Sequence, residues 1–136
     1  MSLEIVELNE SQVNYIESQL DDYDKKYIRY RITGNINIGV LKDNSIIAGV
    51  DASMTAFKIL YVSTLFVDEN YRRNNIGTML MAEVEKRARQ LGANMIRLDT
   101  FNWQGKDFYS SLGYEEVGFY ENKEDGFSEH FFLKRL

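Results

Sequence analysis

Apolar residues recur along the chain at two spacings, and the alternation between them outlines the fold. Glu-Ile-Val-Glu-Leu at 4–8 reads as a short first strand. Asn9, with Gln12 three residues on, forms a variant capping box for a helix that follows. Val13, Ile16, Leu20, Tyr23 and Tyr27 continue at helical spacing to about residue 31, as one helix or two, since Asp21-Asp22 offers a bend. Ile36, Ile38 and Val40 alternate as a strand does, and Lys42-Asp43-Asn44-Ser45 is a turn. Ile46, Ala48, Val50, Ala52 and Met54 then alternate again, which predicts a hairpin. Residues 59–67 are apolar on both faces and predict a central strand covered on both sides.

The second half is as legible. Ile76, Leu80, Val84, Ala88 and Leu91 form the buried stripe of a helix, with Glu83/Arg87 and Glu85/Arg89 pairs on its exposed side and Gly92 as its stop. Met95–Thr100 reads as a strand and 103–112 as a short helix closed by Gly113. Two final strands follow at 114–120 and 128–134. The order βα(α)βββαβαββ predicts an α+β fold, helices on both faces of one mixed sheet.

Composition narrows the function. At 136 residues the chain is expected to form one domain over 1–136, and 44% hydrophobic residues suffice for a core. No apolar run approaches the roughly 20 residues of a membrane span, and Met-Ser-Leu-Glu lacks the features of a secretory signal, so a cytoplasmic protein is expected. The absence of cysteine removes disulfides, thiolate nucleophiles and cysteine zinc sites, and a single histidine, His130, removes a histidine-rich metal site. No metal is expected. A net charge of −5 argues against a nucleic-acid partner. His130, lone on a strand, reads as structural.

One segment carries chemistry. After the strand ending at Val67, the polar run Asp68-Glu69-Asn70-Tyr71-Arg72-Arg73-Asn74-Asn75 opens straight into the helix that starts Ile76-Gly77-Thr78. Such a junction aims unpaired backbone N–H groups and the positive helix end at one point, which suits a phosphate. Gly77 permits close backbone approach, and Arg72 and Arg73 add charge-assisted bonds. A loop that merely enters a helix, its arginines in solvent, is the competing reading.

Arg72-Arg73-Asn74-Asn75-Ile76-Gly77 resembles the pyrophosphate loop Q/R-x-x-G-x-G/A of the GNAT acetyltransferases, with Asn75 where that family prefers glycine. The run from Asn102 to Tyr114 is similar to the family's second CoA segment, N-x(6)-Y-x-x-x-G-F/Y, with Asn102 and Tyr109 in register. The likeness spans about residues 35–135 and looks nearest to a branch of short, uncharacterised bacterial members. It implies a GNAT-like single domain whose mostly antiparallel sheet of six to seven strands is splayed between the fourth and fifth. Acetyl-CoA is implied as co-substrate, a primary amine as acceptor, and no nucleic acid or membrane as partner. Pairing through the last strands, as in many relatives, implies a possible homodimer.

The resemblance also implies roles. Leu65, Phe66 and Val67 would supply backbone N–H groups to the acetyl carbonyl and pantetheine. Arg72, Arg73, Asn74, Asn75, Ile76, Gly77 and Thr78 would cradle the pyrophosphate, and Asn102, Phe108 and Tyr109 would flank the pantetheine arm. Tyr109 is the candidate acid for the leaving thiolate, and Asp99 the candidate base or water-positioner. The acceptor expected is a small molecule. A protein or peptide N-acetyltransferase, and a non-catalytic CoA-binding sensor, are the alternatives.

Overall fold

The computed structural model describes residues 2–136 and divides the chain into two compact units, Met1–Tyr30 and Arg31–Leu136. In the first, helix α1 (Glu10–Asp24) begins at the expected capping box. The Asn9 side chain accepts from the Gln12 N–H at 2.9 Å, and the Gln12 side chain accepts from the Asn9 N–H at 2.9 Å. The helix stops at Asp24, short of residue 31, because the N–H groups of Tyr27 and Ile28 both turn back to the Asp24 carbonyl. The first strand expected at 4–8 is absent: those residues are exposed and, among the described residues, no strand pairs with them, and an unpaired strand leaves its own ladder groups unmet.

The second unit holds one six-stranded mixed sheet in the order β1-β2-β3-β4-β6-β5, flanked by helices in an α+β arrangement. β1 (Asn35–Lys42) and β2 (Ser45–Met54) form the expected hairpin. Its two turn residues, Asp43 and Asn44, both have positive φ, at 51° and 65°, as the twist of a two-residue hairpin demands. The ladder slips between Val40 and Leu41, leaving Ile47 as an extra residue. Ile47 and Ala48 are therefore both buried while Ile46 faces solvent.

β3 (Ile59–Val67) is central, with β2 antiparallel on one edge and β4 (Met95–Phe101) parallel on the other. Its two apolar faces have a different origin from the double cover expected. Against β2, Ala52 pairs with Val62 but Asp51 pairs with Thr64, so Ser63 is a bulge. The bulge switches the inward parity: Leu60 and Val62 point into the core before it, Leu65 and Val67 after it. At the same place β3 leaves β4. Their ladder ends at Val62 and Leu98, although β3 runs five residues farther and β4 three. This is the splay that the resemblance implies between its fourth and fifth strands.

β4 pairs with β6 (Phe127–Arg135), which pairs with β5 (Glu115–Asn122) at the far edge. One face of the sheet packs with α2 (Ile76–Leu91) and α3 (Lys106–Ser111) around Leu60, Ile96 and Phe132. Gly92, at φ 97°, ends α2 as expected. Glu83 and Arg87 pair on its surface at 3.1 Å. Glu85 departs from the expected Arg89 pairing. It is buried, and Lys134 of β6 reaches it at 2.8 Å while also donating to the Leu112 carbonyl at 2.9 Å. His130 is structural in the way expected. Its Nδ1 contacts Glu116 Oε1 and its Nε2 lies 2.7 Å from Ser128 Oγ, beneath the stacked ring of Phe119.

Among the described residues, Tyr114 Oη is a buried side-chain atom without a hydrogen-bond partner. Burial pushes this phenol's pKa well up, with Glu85 adding to the effect, and burial pushes Tyr109 up to about 12 from 10.0. The native state then keeps protons that the unfolded chain has lost, so stability is complete below about pH 10 and falls as pH rises toward about 12. Tyr114→Phe removes an unsatisfied hydroxyl. It should leave stability at neutral pH unchanged or raise it by about 1 kcal/mol, and should make the alkaline decline shallower. Urea denaturation from about pH 7 to pH 11 checks both. Destabilisation at neutral pH with an unchanged alkaline slope would contradict this account.

Candidate functional site

Where β3 and β4 part, a cleft of about 840 Å³ opens, lined by both strands, the loop after β3, the start of α2 and the face of α3. The loop is built turn by turn. Asp68 accepts from the Asn70 N–H at 2.9 Å and starts a single 3₁₀ turn, Glu69–Tyr71. Arg72 folds back so that its Nε donates to the Val67 carbonyl at 3.0 Å, and Asn74 Nδ2 donates to the carbonyls of Tyr71 and Arg72 at 3.1 and 3.3 Å. These bonds tie the loop to the strand it leaves.

Two residues of the loop are left-handed, Arg73 at φ 66° and Asn75 at φ 60°. Asn75 is the N-cap of α2 yet makes no side-chain capping bond. By helix geometry the N–H groups of Ile76, Gly77 and Thr78 therefore have no intrahelical acceptor, and they point out of the helix start. That is the arrangement that binds an anion. Gly77 serves a purpose beyond the one the sequence suggested. A Cβ there would meet Phe108 Cζ at 3.1 Å and Val67 Cγ2 at 3.8 Å, so its absence lets the α3 aromatic close over the first turn of α2.

The opposite wall carries the titratable groups. Asp99 and Tyr109 both line the cleft, as do Leu65, Phe66, Val67, Arg72, Arg73, Asn75, Ile76, Gly77, Thr78 and Phe108. Past Val62, β3 has no partner strand on its β4 edge, so the backbone at 65–67 faces the cleft unpaired on that side. Tyr109 is buried against Phe108, Tyr114 and Phe132, with ring centroids 5.1, 5.8 and 6.2 Å away. Its hydroxyl has no protein hydrogen-bond partner among the described residues. Its raised pKa comes first from burial and then from the charge of Asp99.

Two candidate residues are not brought to the cleft lining. Asn74 spends its carboxamide on the loop itself. Asn102 latches β4 to β6, its N–H donating to the Ser128 carbonyl at 3.0 Å and its Oδ1 accepting from the Ser128 N–H at 2.9 Å. Sequence reasoning missed Tyr61, whose hydroxyl donates to Asp99 Oδ2 at 3.0 Å; burial, then that carboxylate, raises its pKa. It also missed Thr100, whose Oγ1 accepts from the Gly105 N–H at 3.1 Å and seats the start of α3. Tyr61 and Asp99 lie 38 positions apart, and only the strand register reveals their pairing.

Comparison with known proteins gives this cleft a family. The model of the acetyltransferase (GNAT) family matches residues 4–114. A crystal structure of an acetyltransferase from Bacillus cereus superposes with TM-score 0.91 at 30% identity, covering 98% of each chain. An acetyltransferase of Agrobacterium fabrum is 32% identical over 84 residues, 62% of this chain and 61% of its own length. Blasticidin-S acetyltransferase of Streptomyces morookaense is 31% identical over 78 residues, 57% of each. The chain thus spans about three fifths of the two curated relatives' length. With the family model matching most of the chain and the fold shared end to end with a solved acetyltransferase, this protein belongs to the acetyltransferase (GNAT) family.

Proposed function

We propose that the chain, acting as one domain, transfers the acetyl group of acetyl-CoA directly to a primary amine on a small molecule. The observation that carries this reading is the convergence, in one cleft, of an uncapped helix start, an unpaired strand edge, a carboxylate and a neutral phenol. The N–H groups at 76–78, with Arg72 and Arg73, hold the pyrophosphate. The backbone at 65–67 directs N–H groups at the thioester carbonyl, where charge develops as the amine adds. The similarity to blasticidin-S acetyltransferase, whose name specifies a small molecule, supports that acceptor class.

Proton flow follows from the two titratable groups. The attacking nitrogen forms the new C–N bond, the C–S bond breaks, and the amine proton passes to Asp99 directly or through a water. Tyr61 holds one Asp99 oxygen and leaves the other to accept. A thiol ordinarily titrates near 8.5, far below the value of about 12 for Tyr109. The phenol therefore stabilises the departing thiolate as a hydrogen-bond donor and keeps its proton. In this reading Tyr109 serves as a fixed donor, where the resemblance implies a general acid.

A screen of amine classes with acetyl-CoA, reading the free thiol released, tests the reaction. Turnover on no amine, together with no CoA binding at millimolar concentration, would defeat the reading. Tyr109→Phe should lower kcat by about 10²-fold, the usual loss for one donor at a developing charge, with little change in the KM for acetyl-CoA. An unchanged kcat on a substrate whose chemistry limits the rate would remove Tyr109 from the mechanism. At Asn75 the left-handed backbone costs an ordinary residue roughly 1–2 kcal/mol, asparagine less. Asn75→Gly should therefore tighten CoA binding several-fold, by tenfold at most, in calorimetric titration. Weaker binding would mean that the Asn75 side chain itself contacts the cofactor.

A further inference from the structure

The sheet face opposite the helix-covered core carries a group of aromatic and acidic side chains of which the transfer step uses only Asp99. β4 and β6 place Asp99 opposite Phe131 and Phe101 opposite Glu129, so the four lie together on one face. β5 sets Tyr120 opposite Glu129, and the phenol donates to Glu129 Oε1 at 2.5 Å. Phe101 stacks on Trp103 with centroids 4.7 Å apart and planes at 11°. Phe127 closes the corner edge-on, 5.7 Å from Phe101 and 6.3 Å from Trp103. Tyr120 meets Phe127 at 6.4 Å.

This wall is continuous with the cleft, because Asp99, Phe101 and Trp103 line both. It is also left open: Trp103 is 65% exposed and Tyr120 46%. The charge is unbalanced as well. Asp99 and Glu129 each accept from a phenol, and neither forms an ion pair among the described residues. Arg97, whose guanidinium lies over the Tyr61 ring at 4.3 Å, forms an ion pair with neither carboxylate. Ring faces and unneutralised carboxylates attract the same ligand, a cation with a flat body.

We propose that Phe101, Trp103, Phe127 and Tyr120, with Asp99 and Glu129, form the acceptor seat and select a cationic amine carried on a planar, unsaturated ring. The inference rests on the acetyl-transfer reading and narrows it to a substrate class. The stacked Phe101–Trp103 pair takes a third ring as its next layer. The two carboxylates hold the ammonium beside the cleft; it loses one proton to water before it attacks, and Asp99 takes the second as the C–N bond forms. An aliphatic amine of equal charge would gain the carboxylates and lose the stack.

Trp103 is the chain's one tryptophan, so its fluorescence reports on this wall alone. CoA-saturated protein is titrated with phenethylamine and with its saturated analogue 2-cyclohexylethylamine, and the same two amines are assayed for acetylation. Phenethylamine should bind and react with a KM about tenfold lower than the analogue, a difference within the reach of aromatic and cation–π contacts. Glu129→Gln should raise both amine KM values several-fold, and Phe127→Leu should erase the preference between them, each leaving the KM for acetyl-CoA in place. Both residues are half-buried, so a thermal melt establishes first that the variants fold. Equal response to the two amines, or none to either, overturns the proposed seat even where other amines turn over. Selective binding of phenethylamine without acetylation of any amine sustains the seat and defeats the transfer reading.

Discussion

β3 must pair with β4 to close the sheet and must leave it to open a site, and a single inserted residue reconciles the two demands. Up to Val62 the strands share a parallel ladder; at Ser63 the β2–β3 register slips, and beyond it β3 follows β2 alone. Ser63 Oγ donates to the Asp51 carbonyl at 3.0 Å, so the displaced backbone is pinned to the strand that continues. A bulge bends and twists its strand and leaves backbone groups without partners. Here those groups border a cleft, where a ligand can satisfy them. Parity inverts at the same point, so that Leu65 and Val67 still pack on the core and the opening does not cost the sheet its buried face.

The two sides of the cleft have opposite electrostatic character. On one lie two arginines and the uncapped start of α2; on the other, Asp99 with Glu129 beyond it. An anionic ligand and a cationic one would thus be drawn to different walls of the same opening. Holding the anion side in shape costs backbone strain at Arg73 and Asn75, since neither is glycine. The loop's own hydrogen bonds, Arg72 to Val67 and Asn74 to Tyr71 and Arg72, offset that strain before any ligand arrives. Preorganisation of this kind reduces the ordering that binding would otherwise require.

Most elements of the Arg31–Leu136 unit were legible in the sequence, because each buries one periodic stripe: Ile36 to Val40, Leu80 to Ala88, Ile96 to Thr100. The positive-φ turn at Asp43-Asn44 and the stop at Gly92 were legible for the same local reason. Bulges were not. An extra residue at Ile47 or Ser63 leaves a sequence that still looks apolar, and only the register tells which face each side chain takes. Strand 4–8 failed for the complementary reason, since an apolar alternation forms a strand only when a neighbour accepts its hydrogen bonds. The loop between β3 and α2 was visible as a motif. The Tyr61–Asp99 bond and the pairing of Glu85 with Lys134 were not, being contacts between distant segments.

The position of Tyr109 shows how far the site depends on such distant contacts. α3 spans only Lys106–Ser111, too short to hold itself together in water. Its start is seated by Thr100, which accepts from the Gly105 N–H, and by the Gln104 side chain, which accepts from the Phe101 N–H at 2.7 Å. Its end is held by Lys134, which takes the Leu112 carbonyl and Glu85 of α2 with one ammonium group. One cation thereby links β6, α2 and the close of α3, and it sits near the Tyr114 ring that packs on Tyr109. A phenol that is proposed to face developing negative charge gains from being placed before the charge appears. Lys134 thereby secures, from β6, the short helix that carries Tyr109.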